Sequence, residues 1–178
     1  MTTAAQTLLE GQYIADPIHS TFGFAVGYQG VSVFRGTLAE GTGSLNDGHI
    51  EGVAQVESIS IRAPEQFREY VLGPEFFDAV HHPEVRFASS RLDLRDDQTA
   101  VVDGELTIKG ATRPVQATGT WAPPAADAFG AQRGHLHLET RVDRTEFGLM
   151  WEVKLPSGGK ALANEVTVTV DLSLTEQG

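Results

Sequence analysis

Cysteine is absent from this 178-residue sequence. Its absence removes disulfides, thiolate nucleophiles and cysteine-based zinc or iron–sulfur sites at once. Positive charge is scarce: 13 Lys and Arg stand against 24 Asp and Glu, for a formal net charge of −11. A surface of that sign repels phosphate backbones and anionic headgroups, which disfavours nucleic acid and negatively charged membranes as partners. No apolar run approaches the length of a membrane span, so stable membrane insertion is not expected. The opening MTTAAQTLLEGQYIADP has no Lys or Arg and no long apolar core, unlike a secretory signal, and this points to a cytoplasmic protein. No phosphate-binding loop, GxSxG or HExxH motif occurs, and no cofactor is expected.

What the sequence does have is alternation. In HSTFGFAVGY, large apolar groups fall on every second residue, Phe22, Phe24, Val26 and Tyr28, while Gly23, Ala25 and Gly27 hold the other face. The same period of two runs through Phe34, Gly36 and Leu38, through Val85 and Phe87, through Leu106 and Ile108, and through Leu136 and Leu138. It is cleanest at the end, where Val166, Val168, Val170, Leu172 and Leu174 alternate with Thr167, Thr169, Asp171 and Ser173. A change of phase between Val56 and Ile59 predicts a bulge near Glu57–Ser58. About eight strands, each apolar on one face, predict an all-β antiparallel protein, and closing them into a barrel would remove exposed edges.

One stretch departs from this period. APEQFREYVLGPEFFDAVHH has Phe67, Tyr70 and Val71 at helical spacing between Pro64 and Gly73, which predicts a short helical excursion over about residues 64–82 with its aromatics toward the sheet. APPAADAFGAQRG and LPSGGKALAN read as loops. Residues 1–178 form one domain on this reading, with 1–11 a flexible N-terminal segment.

Candidates for chemistry are thin. His135 and His137 share one strand face, a spacing used by metal sites, but Leu136 and Leu138 claim the apolar face, so the histidines point outward and no metal site is expected. Asp16, His19 and Ser20 lie too close in sequence to build a nucleophile–base–orienter geometry, and no catalytic residue is assigned there. Glu105, Glu139 and Asp171 lie on polar faces, unlike a catalytic carboxylate pair. Arg68 and Arg144 stand beside aromatics, at places that could border a barrel mouth. A barrel of about eight strands is the size at which the interior is either just filled or holds one small ligand. Large residues (Phe22, Phe24, Val26, Tyr28, Phe34, Phe76, Phe77, Phe87, Leu106, Ile108, Leu136, Leu138, Phe147) and small ones (Gly36, Gly104, Ala117, Gly119) share the inward faces. Periodicity alone admits both a filled core and a cavity.

Taken in order, several segments resemble the YceI-like family, the lipid- and polyisoprenoid-binding proteins with a lipocalin-like barrel. They are YIADPIHSTFGFAV, VFRGTLAEGTGSL, REYVLGPEFFDAVHHPEVRFAS, GELTIKGATRPV, RVDRTEFGL and NEVTVTVDLSL. GELTIKGATRPV is the most specific of them. The resemblance implies an extended antiparallel barrel of about eight strands. It also implies a long-chain isoprenoid or similar amphiphilic lipid held inside by the thirteen large residues just named, no catalysis, and a homodimer. Relatives usually end the first strand with His, where this sequence has Tyr28, and often carry Asp-x-His-Leu where it has Glu69, Tyr70, Val71 and Leu72. The rival reading is an enzyme acting on a hydrophobic substrate at the barrel mouth, through His19, Tyr28 or Arg144.

Overall fold

The computed structural model describes residues 1–178. Its strands are β1 (Gln12–Ala15), β2 (Thr21–Tyr28), β3 (Ser32–Thr37), β4 (Gly41–Asn46), β5 (His49–Gln55), β6 (Glu84–Leu94), β7 (Thr99–Ile108), β8 (Ala111–Ala126), β9 (Gln132–Asp143) and β10 (Leu162–Glu176). Two helices accompany them, α1 (Ala4–Glu10) and α2 (Glu65–Leu72). Every strand pairing is antiparallel.

Ten segments make eight staves. β10 pairs with β2 along Leu162–Asp171 and with β1 along Leu174–Glu176, so β1 and β2 are two halves of one stave. β3 and β4 likewise flank β2 and β1. The ladder then runs β4-β5-β6-β7-β8-β9-β10 and closes. Tight turns hold the register. Asp47-Gly48 and Lys109-Gly110 take positive φ at both positions, as a two-residue hairpin turn requires.

The expected all-β antiparallel barrel is what the chain forms, with four local differences. The N-terminal segment contains a helix. Residues Ala4–Glu10 form a helix whose capping box joins Thr3 and Gln6, and Leu8 is completely buried beneath it. Its apolar side plugs one end of the barrel, which explains why so short a helix is held. At residues 56–58 a single 3-10 turn replaces the expected bulge, and the phase change delivers Ile59 and Ile61 to a buried cluster. The predicted loop after Trp121 is largely strand, because β8 runs to Ala126. Pro123 and Pro124 fit there because the ladder shifts register between Ala122 and Ala125, where no N–H is needed. In the excursion, α2 buries Val71 and packs beside Phe76 and Phe77, but Phe67, though it borders the barrel interior, stays half exposed. No helix is long and apolar enough to cross a membrane.

The core is unevenly filled. At the α1 end, Leu8, Tyr13, Leu45, Leu136, Leu172 and Leu174 are sealed from solvent, with Trp121 among them. Both polar tips there are bonded, the Tyr13 hydroxyl to the Thr7 carbonyl at 3.4 Å and the Trp121 indole N–H to the Arg95 carbonyl at 2.9 Å. Toward the α2 end, Phe22, Phe24, Phe34, Val166, Val168 and Val170 are only half-buried although they point inward.

Candidate functional site

The half-buried inward residues line a cavity of about 260 Å³. Its wall has 37 residues, of which 29 are hydrophobic, so it selects against a polar occupant. Along β10 the lining runs from Leu162 to Leu172, about 33 Å of strand at the usual rise. The lining is spread along the strand, whose tilt makes the lumen shorter than that path, and an elongated apolar space of this kind admits a linear chain.

Strand parity builds most of the wall. β2 contributes Phe22, Phe24 and Val26; β7 contributes Leu106 and Ile108; β9 contributes Leu138; β10 contributes Val166, Val168, Val170 and Leu172. α2 and the turns after it add Val71, Phe76 and Phe77 to the wall, the two phenylalanine rings meeting edge to face at 5.1 Å. Phe147, buried in the 3-10 turn Arg144–Phe147, also lines the cavity and packs with Phe76 and Phe77.

Glycine keeps the bore open, but not by leaving holes. Gly36 stands across the ladder from Phe24, and a Cβ there would overlap the Phe24 ring. Gly104 also lies under the Phe87 ring, which a Cβ would approach to 2.6 Å, while the Ala88 carbonyl, at 2.5 Å, adds a backbone reason for glycine there. Each ring lies down on a glycine instead of standing out toward the barrel axis. The volume that these glycines give up is taken by phenylalanine, and the axis stays clear as a consequence. Gly119 is different: its missing Cβ faces the backbone carbonyl of His137, so it serves close strand approach and not the lumen.

Of the thirteen expected wall residues, eleven line the cavity: Phe22, Phe24, Val26, Phe34, Phe76, Phe77, Phe87, Leu106, Ile108, Leu138 and Phe147. Two do not. Tyr28 lies beyond the rim, exposed, where β2 turns into β3. Leu136 is fully buried in the packed end against α1 and meets no open space. Alternation gives the correct face for both, but it carries no information on height along the barrel. Ile59 and Ile61, which the phase change brings inward, also line the lumen, as do Leu149 and Leu162 from a loop and a strand end where no period points to them.

The charged candidates prove to be structural. Arg144 is buried, and its guanidinium donates to the carbonyls of Leu149, Ala163 and Leu162, which ties the start of β10 to the end of β9. Burial pulls its pKa below the ordinary value for arginine. Arg68 donates to the carbonyls of Glu57, Ile59 and Ile61 and thereby fastens α2 to the 3-10 turn. His19 is exposed and bonds the Asp16 carboxylate at 2.8 Å, which also accepts from Arg133 at 2.8 Å. Arg133 and Arg144 lie at opposite ends of β9, about 35 Å apart along the strand, so His19 cannot meet Arg144 or the Tyr28 end. His135 and His137 point outward as expected and share Asp171, whose carboxylate lies 2.7 Å from His137 Nδ1 and 3.5 Å from His135 Nε2. No group of three or more His, Asp or Glu is arranged to hold a metal ion.

Comparison with known proteins agrees with this architecture. A family model described as a YceI-like domain matches residues 13–174. A UPF0312 protein of Pseudomonas syringae pv. tomato is 22% identical over 166 residues, covering 90% of this chain and 81% of its own. One from Pseudomonas fluorescens is 25% identical over 162 residues, covering 88% and 80%. Among solved structures, BcnA of Burkholderia cenocepacia superposes with a TM-score of 0.74 at 20% identity, covering 89% of this chain and 98% of its own. A polyisoprenoid binding domain from Saccharophagus degradans, implicated in plant cell wall breakdown, superposes with a TM-score of 0.65 at 10% identity, covering 94% and 99%.

Proposed function

Given that the chain belongs to the YceI-like family, we propose that its barrel carries or sequesters one long-chain isoprenoid or similar linear amphiphile, held without covalent chemistry in the lumen. The supporting observation is the cavity itself, apolar and lined along about 33 Å of β10 from Leu162 to Leu172. Burial of the tail drives binding, at roughly 25 cal/mol per Å² of apolar surface removed from water. The structural likeness to the polyisoprenoid binding domain of Saccharophagus degradans supports the same ligand class. The separation of His19 from Tyr28 and Arg144, and the use of Arg144 to hold backbone carbonyls, support binding over catalysis, because no acid, base and nucleophile converge on a point beside the lumen.

Organic extraction of the purified protein, followed by lipid mass spectrometry, tests this. One long-chain lipid per barrel is the expected result. Protein that yields no lipid, and takes up none when offered a polyprenol, would defeat the proposal.

A further inference from the structure

The cavity wall does not stop at the mouth; it continues as an exposed apolar rim. Each of three segments runs directly from a lining residue to an exposed one. Phe34 lines the lumen, and the hairpin just before it exposes Val33 and Val31, the latter 90% accessible. Leu149 lines it, and the next residues expose Met150 and Val153. Leu162 lines it and stands across the ladder from exposed Tyr28. Phe67 of α2 does both, lining the lumen while 46% exposed.

These segments form one surface. The Gln29 N–H donates to the Ala161 carbonyl at 2.7 Å, and Gly30 lies against Leu155, so the hairpin tip rests on the 149–161 loop. α2 joins through the cluster of Ile59, Ile61 and Val71, against which Phe24 and Phe34 pack. Charge is distributed to match. The chain is strongly acidic overall, yet Tyr28–Phe34 carries no charged residue. Around it, Glu65, Glu69 and Glu152 are balanced by Arg62, Arg68, Lys154 and Lys160. The excess of acid lies elsewhere. An apolar, charge-balanced rim with Tyr28 and Trp151 at its edge suits the interface of an uncharged bilayer, where amphipathic aromatics settle.

We propose that this rim docks the open end of the barrel onto a zwitterionic lipid bilayer, so that a tail passes between membrane and lumen without crossing water. The benefit rests on the lipid-carrier reading, because a tail drawn through water would expose its whole apolar surface. The docking itself needs no ligand and is measured separately.

The test is flotation of the full-length protein with vesicles of phosphatidylcholine, comparing wild type with the double variant Val31→Asp, Met150→Asp. Neither residue lines the lumen or belongs to a core cluster. Wild type should float, and the variant should bind about tenfold more weakly or worse, with its thermal midpoint and its uptake of cyclodextrin-delivered polyprenol unchanged. Wild type that stays at the bottom overturns the proposal, as does equal flotation of both proteins. Absent flotation together with a concentration-dependent dimer that the variant abolishes overturns it in favour of a second copy of the chain. Flotation of wild type without polyprenol uptake supports the docking face and defeats the carrier reading instead.

Discussion

The two ends of the barrel use the same alternating strands and arrive at opposite results. At the α1 end, leucines from facing staves meet one another and Leu8 fills what remains, leaving Leu45, Leu136 and Leu174 wholly buried. Farther along the same strands, the inward residues are Phe22, Phe24, Val166 and Val168, and a tube stays open between them. The open region is not poorer in large side chains. Its phenylalanines lie flat on glycines, and no helix enters to fill the axis. One end holds the fold together and the other is free to hold something else.

Truncation separates the two ends most sharply. Leu136→Ala should cost about 2–5 kcal/mol, because a sealed position leaves a cavity that cannot relax fully. Val168→Ala, which removes methyls already facing open space, should cost about 1 kcal/mol or less. Denaturant unfolding of both variants measures the gap, and equal costs would deny that the ends differ. Filling reverses the ranking. Val168→Trp puts an indole into the tube and should abolish polyprenol uptake while the protein stays folded.

Gly36→Ala is a subtler change. The new methyl would lift the Phe24 ring off the wall into the bore. Polyprenol affinity should fall several-fold, about 3–10-fold, at a stability cost of about 1 kcal/mol, and a crystal structure would show the displaced ring. The smallest effect concerns the packed end alone. Hydrogen bonds from His19, then Arg133 and the Ile18 N–H, hold the Asp16 carboxyl well below its ordinary value of 3.8. A depressed folded-state pKa stabilises fully above about pH 4 and ceases to as pH falls through it. Asp16→Asn should therefore flatten the acid limb of the thermal midpoint below about pH 4, while polyprenol uptake at neutral pH is unaffected.

How far the sequence disclosed this contrast follows from what periodicity encodes. A period of two identifies which face of a strand looks inward, and β10 shows it without a fault from Val166 to Leu174. It says nothing about position along the barrel axis. Leu136 and Leu138 are adjacent on one face, yet the first is sealed against α1 and the second borders the tube. Tyr28 continues the row of Phe22, Phe24 and Val26 but passes the rim. The plug itself was illegible, because TAAQTLLEG is too short to announce a stable helix and Leu8 matters only once a barrel end exists to receive it. Arg144 is visible as a charge beside aromatics, but its three carbonyl partners lie 5 to 19 residues away and meet it only once β9 and β10 pair.

Native mass spectrometry of delipidated protein titrated with polyprenols of increasing chain length, run in parallel on wild type and Val168→Trp, tests the hollow end most directly. The account predicts one polyprenol bound per wild-type chain and none bound to the filled variant, with both proteins folded. A wild-type chain that stays empty at saturating polyprenol, or a filled variant that binds as wild type does, would contradict it.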